Sequence, residues 1–171
     1  MRYKWFIVAV LLLLAIPAQA QWFIGGRASI SANFRENSAG FALRPDVGYS
    51  FKNISVGVNA VIDYYGYTPQ KGEKRISNIT FGLAPYIQYY FLRLGRVSFY
   101  LDTGLEVNRY TAEDDAYWRF IPYISPGLDI AITDHWSFLG TVGRLEYDSY
   151  NRYLNFSLDG TGFSAGLYYT F

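Results

Sequence analysis

The chain has 171 residues, of which 51% are hydrophobic and 20% aromatic, with no cysteine and a formal charge of +1. A disordered tail would carry fewer aromatic residues and more charge, a disulfide scaffold would carry cysteines, and a nucleic-acid binder would show a basic excess. What remains is one exported or membrane-associated domain large enough for a sizeable core.

Residues 1–20 read as a secretory signal peptide. Arg2 and Lys4 form a positive n-region, residues 5–16 are an unbroken apolar run, and Pro17 ends it before Ala18-Gln19-Ala20. As a helix that run reaches only about 18 Å, short of the roughly 30 Å hydrocarbon core that an anchor must cross. Without cysteine, no lipid-modified N-terminus is expected. Cleavage after Ala20 leaves residues 21–171 as the mature domain. Without Arg2 and Lys4, the 15 basic residues become 13 against 14 acidic ones, a net charge of −1.

From Gln21 onward the chain alternates with a period of two, the mark of strands with two different faces. The first strand sets Trp22, Ile24, Ala28 and Ile30 against Phe23, Gly25, Arg27 and Ser29. The second sets Phe41, Leu43, Val47 and Tyr49 against Ala42, Arg44, Asp46 and Gly48, and the third sets Val56, Val58 and Ile62 against Gly57, Asn59 and Asp63. The fourth carries Ile79, Phe81, Leu83, Ile87 and Tyr89 on its apolar face. The fifth carries Phe99, Leu101, Leu105 and Val107 with Asp102, Gly104 and Glu106 between them. The sixth aligns Phe120, Pro122, Ile124, Leu128 and Ile130. The eighth closes the chain with Phe163, Ala165, Leu167, Tyr169 and Phe171.

The seventh, over residues 136–147, changes phase between Val142 and Leu145. A bulge near Gly143 would restore the alternation and turn Arg144 and Glu146 to the polar face. A second irregularity is expected near Asp159-Gly160. Connections alternate long and short, so one end of the sheet carries loops and the other carries tight turns and both termini.

Two secreted eight-stranded barrels fit such a pattern. A soluble lipocalin-like binding barrel points its apolar face inward, and an outer-membrane barrel points it at lipid. An eight-stranded lumen is only wide enough for side chains to fill it, and the bulky apolar face is too large for that space. Gly25, Gly48, Gly57, Gly82, Gly104, Gly127 and Gly166 lie on the other face. Trp22, Tyr49, Tyr89, Trp136 and Tyr169 mark the turn end, and Tyr64, Tyr110, Trp118 and Tyr147 the loop end. Two aromatic girdles around an aliphatic band are what membrane interfaces select. The expected fold is an all-β, eight-stranded antiparallel up-and-down transmembrane β-barrel.

The terminal Tyr169-Thr170-Phe171, preceded by Leu167, Ala165 and Phe163, resembles the C-terminal aromatic signal of small outer-membrane β-barrels of the OmpX/OmpA transmembrane-domain type. The likeness extends over essentially all of residues 21–171. It implies a Gram-negative outer membrane and insertion by the outer-membrane assembly machinery, with Phe163, Leu167, Tyr169 and Phe171 as the signal. It implies no single activity, because the family includes structural proteins, adhesins and enzymes.

On the polar face, Arg27, Arg44 and Arg144 meet Asp46, Asp63, Asp102, Asp129, Glu106 and Glu146, with Asn59 among them. If the first hairpin pairs Phe34 with Phe41, Arg27 lies diagonal to Asp46, and Asn59 stands opposite Asp46. A mutually hydrogen-bonded plug is the expected arrangement, and an ion path or proton relay is the competing one. Lipid-modifying barrel enzymes of this type pair a histidine with a serine near the outer leaflet. The single histidine, His135, falls instead in a turn at the opposite end. No catalytic residue, cofactor or metal site is expected, and Glu113-Asp114-Asp115 reads as a solvated acidic loop. Lys71, Lys74, Arg75, Arg109, Arg119 and Arg152 lie at the loop end, where contact with lipopolysaccharide phosphates is one reading and an ordinary solvated rim the other.

The expected role is a non-enzymatic barrel with a filled polar lumen, structural, surface-interacting or accessory to a larger outer-membrane complex. A narrow pore, a lipid A-modifying enzyme and a soluble binding barrel are the alternatives. Outer-membrane lipids, lipopolysaccharide and other outer-membrane proteins are the expected partners, and nucleic acid is not one.

Overall fold

In a computed structural model the described residues are 21–33, 38–68, 76–111, 116–157 and 164–171. Among them, the long strands are β1 (Gln21–Asn33), β2 (Ser38–Phe51), β3 (Ile54–Tyr67), β4 (Ile76–Leu94), β5 (Val97–Thr111) and β6 (Ala116–Ala131). Shorter segments follow: β7 (Trp136–Thr141), β8 (Arg144–Asp148), β9 (Tyr153–Ser157) and β10 (Ser164–Thr170). Each neighbour pairing is antiparallel, in the order β5-β4-β3-β2-β1-β10-β7-β6, and a β5–β6 pairing closes the ring. Eight segments therefore make the wall, as the alternation predicts. The β8–β9 hairpin continues it towards the loop end, with β8 also paired to β6.

The wall turns its aliphatic side chains outward. Ile30, Leu83, Phe81 and Leu167 are more than half exposed, whereas Tyr86, Tyr100, Asp102 and Asn59 are almost wholly buried. In water this would be an inverted protein; in a bilayer the exposed band faces hydrocarbon, and closure leaves the ring no edge.

The seventh strand breaks where its phase changes. On β6, Pro126 and Ser125 stand opposite Val142, Gly143 and Arg144, one residue more on the second side. Gly143 takes φ +78°, a backbone that costs a residue with a Cβ, and Arg144 and Glu146 turn inward. The irregularity expected near Asp159-Gly160 lies outside the described residues.

Two registers differ from expectation. β1 and β2 pair Ile30 with Phe41, which places Arg27 opposite Arg44 and Asp46 opposite Gly25. The register is displaced from the Phe34–Phe41 pairing, so Arg44 and not Gly48 stands opposite Arg27, yet Asp46, two residues from Arg44, is still diagonal to Arg27. β4 also contains a bulge between Tyr90 and Leu92, so its turn shrinks to Gly95 and Arg96.

Candidate functional site

The barrel interior is built from glycine sockets. Phe23 stands opposite Gly48, Tyr86 opposite Gly57, Tyr100 opposite Gly127, and Tyr168 opposite Gly25. A Cβ at Gly57 would meet the Tyr86 hydroxyl at 2.6 Å, and one at Gly25 would meet the Tyr168 ring at 2.7 Å. The strand that carries a ring thus borrows volume from the strand beside it, an arrangement that fixes register across the pair. These rings, with Tyr90, Tyr123 and Leu139, form the buried cluster inside the barrel.

Polar groups are threaded through this cluster. Asp46 accepts hydrogen bonds from the hydroxyls of Tyr86 (2.9 Å) and Tyr168 (2.7 Å). Arg27 Nη1 donates to Asp102 Oδ2 at 2.9 Å, with both side chains buried, and the Tyr123 hydroxyl reaches Asp102 Oδ1 at 3.4 Å. Towards the turn end, Tyr90 donates to Asp129 at 3.3 Å. Asn59 is opposite Asp46, as the alternation predicts, but neither atom of its amide has a hydrogen-bond partner.

Towards the loop end the interior becomes ionic. Glu106 accepts from Arg44 and, at 2.7 Å, from Arg144; Arg144 also holds Glu146 at 2.8 Å, and Arg44 lies 3.5 Å from Asp63. Asn108 donates to the other Glu106 oxygen at 3.2 Å. Arg144 stands 4.1 Å over the Tyr123 ring, tying this cluster to the layer below it. Beside the cluster lies a cavity of about 250 Å³ lined by Arg27, Arg44, Arg144, Asp102, Glu146 and hydroxyl side chains.

The ten polar residues singled out in the sequence are thus all inside the barrel, but in separate groups. Arg27 pairs with Asp102 and not with Asp46, while Arg44, Asp63, Glu106, Arg144 and Glu146 form one network. The inward tyrosines were not singled out, although they share parity with the glycines opposite them.

At the mouth, the loop-end cations divide. Arg119 points inward, where it is ion-paired to Asp148 and lies 4.6 Å over the Tyr110 ring. Tyr110, expected in the outer girdle, turns inward with it and stacks on Tyr117 at 5.6 Å. Arg109 faces outward and is exposed, and Arg152 is exposed in the turn after β8 with φ 55°. Lys71, Lys74, Arg75 and the acidic 113–115 loop lie outside the described residues.

At the turn end, Leu167, Tyr169 and Phe171 face outward. Tyr169 packs edge-on against Trp136 at 5.2 Å and Phe171 at 5.1 Å, and the Phe171 N–H donates to the Trp22 carbonyl at 2.9 Å. His135 is exposed beside them, its Nδ1 2.9 Å from the Thr170 carbonyl. Phe163 is outside the described residues.

The family model of the outer membrane protein beta-barrel domain matches residues 6–171. The chain belongs to that family. As a member of the outer-membrane barrel family it resides in the Gram-negative outer membrane, with Gln21, Phe171 and the tight turns at one end of the described barrel. Among solved structures, it is similar to Neisserial surface protein A at 17% identity and a TM-score of 0.52, covering 89% of this chain and 96% of that one. It is also similar to a major outer membrane protein from Thermus thermophilus, with 15% identity, TM-score 0.43 and coverage of 89% and 99%. A third is the outer membrane protease OmpT from Escherichia coli, with 10% identity, TM-score 0.35 and coverage of 89% and 96%. Among curated proteins, none matches the chain in sequence.

Proposed function

We propose that this family member is a non-enzymatic, non-conducting barrel that serves the outer membrane structurally, by surface contact, or as an accessory subunit of a larger complex. One observation carries the reading. Phe23 and Arg27 from β1, Asp46 from β2, Tyr86 from β4, Tyr100 and Asp102 from β5, Tyr123 from β6 and Tyr168 from β10 meet across the barrel. Asn59 and Leu139 add buried side chains from β3 and β7. Side chains from every wall strand thus fill one level, in which Arg27 pairs with Asp102 and Asp46 is held by the Tyr86 and Tyr168 hydroxyls. The only histidine lies at the turn end, bonded to a backbone carbonyl. Insertion by the outer-membrane assembly machinery through Leu167, Tyr169 and Phe171 belongs to the same proposal, as do other outer-membrane proteins as lateral partners.

Planar-bilayer recording on the purified barrel tests the reading: no unitary current is expected at neutral pH. Regular conductance steps would favour a narrow pore instead, a reading that the 250 Å³ cavity in the outer half supports. A change in lipid A mass when the protein is expressed would favour the enzyme. Native pull-down from outer membranes then tests the accessory role.

A further inference from the structure

Of the outward positions on the described wall strands, Arg109 is the only one that carries a charge. It sits on β5 two residues from Thr111, at the loop end, level with Phe81 on β4 and Trp118 on β6. Both of those rings are 58% exposed. Among the described residues no carboxylate pairs with the guanidinium. A cation on the lipid-facing side is unfavourable at mid-membrane and tolerable only near the headgroups, where an anion can meet it.

Directly below Arg109 the outer surface is hollow. Leu83 and Pro85 on β4 and Val107 on β5 lie beneath the level of Phe81, Arg109 and Trp118, and together these residues line an apolar groove of about 640 Å³. Val107 and Pro85 are short beside the Phe81 and Trp118 rings nearer the loop end. A groove that accepts hydrocarbon and ends in a guanidinium at headgroup height has the polarity of one anionic, acylated lipid.

We propose that this groove is a docking site for the lipid A portion of lipopolysaccharide, with one acyl chain along Leu83, Pro85 and Val107 beneath the Phe81 and Trp118 rings and a phosphate on Arg109. Arginine suits that role because its planar fork binds two phosphate oxygens at once. The site needs only the outer-membrane placement of the barrel and is independent of whether the lumen conducts. The commitment to lipid A over an outer-leaflet phospholipid rests on location, since Arg109 is at the loop end, which faces the cell exterior.

The test uses the full-length mature barrel in detergent and three probes: phosphorylated lipid A, dephosphorylated lipid A and phosphatidylglycerol. Heat-modifiable gel migration first establishes that each variant is folded. Arg109→Gln should weaken binding of phosphorylated lipid A by about five-fold, the effect typical of one interfacial cation. Arg152→Gln, which removes an equal charge from the mouth outside the groove, should change it by less than about two-fold. Removing the phosphates from lipid A should cost the wild type the same factor and Arg109→Gln nothing further. Val107→Trp, which fills the groove and leaves the charge, should also weaken binding. Equal losses in Arg109→Gln and Arg152→Gln would overturn the proposal in favour of a diffuse charged rim. Unchanged binding in Val107→Trp would remove the acyl groove. Phosphatidylglycerol bound as tightly as lipid A, with the same dependence on Arg109, would show a general anion contact and refute the assignment.

Discussion

Replacing Asp102 with asparagine should destabilise the barrel far more than its small change in shape suggests. Arg27 and Asp102 are 5% and 0% exposed, and their charged atoms are 2.9 Å apart. At that distance and an effective dielectric of about 20, their attraction is about 6 kcal/mol, and most of it is offset by the cost of dehydrating both ions. Asparagine keeps an acceptor for Tyr123 but takes from the buried guanidinium the one carboxylate it is hydrogen-bonded to. Breaking such a pair from one side costs about 3–5 kcal/mol. Replacing both partners, with Arg27→Met and Asp102→Leu together, removes the two dehydration costs and should fall within about 1–2 kcal/mol of wild type.

Wild type, Arg27→Met, Asp102→Leu and their double variant are the four corners of a cycle, and urea-driven unfolding from phospholipid vesicles, followed by tryptophan fluorescence, gives each of them with Asp102→Asn alongside. Asp102→Asn within about 0.5 kcal/mol of wild type, the range of an ordinary surface change, would refute the reasoning. So would a double variant as unstable as the sum of the single ones, since residues in direct contact should couple.

Three further outcomes follow from the packing. Gly127→Ala should lose roughly 1–3 kcal/mol because its methyl would enter the Tyr100 ring, whereas Gly140→Ala, whose nearest neighbour would be 3.8 Å away, should be close to neutral in the same assay. Gly143→Ala should cost about 1–2 kcal/mol from backbone strain alone, since its φ is +78°. Phe171→Ala should lower the fraction of chain assembled in the outer membrane of growing cells while leaving the refolded barrel's thermal stability unchanged, because the ring is 66% exposed and its main contact is Tyr169.

Most of the architecture was legible because a period of two leaves little freedom: once Val47, Val58 and Leu83 face lipid, Asp46, Asn59 and Gly82 must face inward. Even the defect at Gly143 could be read, since Leu145 and Tyr147 fall out of phase with Phe138. Alternation along single strands says nothing about register between them, and a loop boundary misplaced by a few residues set Arg44 and not Gly48 opposite Arg27. The partner that Arg27 does find, Asp102, is 75 residues away and lies across the lumen, beyond any local rule. The interior tyrosines were hidden for a different reason. Tyrosine belongs to membrane girdles as readily as to cores, and only the glycine opposite each ring distinguishes the two. Likewise Arg109 and Arg119 look alike as loop-end cations, yet one faces lipid and the other meets Asp148.

The extra residue in the seventh strand acts as a reading frame for the wall above it. With it, Arg144, Glu146 and Asp148 are spelled inward and Leu145 and Tyr147 outward. Deleting one residue at Val142 or Gly143 would invert every later side chain of β8, presenting three charges to hydrocarbon and taking Arg144 from Glu106 and Asp148 from Arg119 together. Length at this point can therefore change by two with the frame preserved, but a change of one garbles the strand.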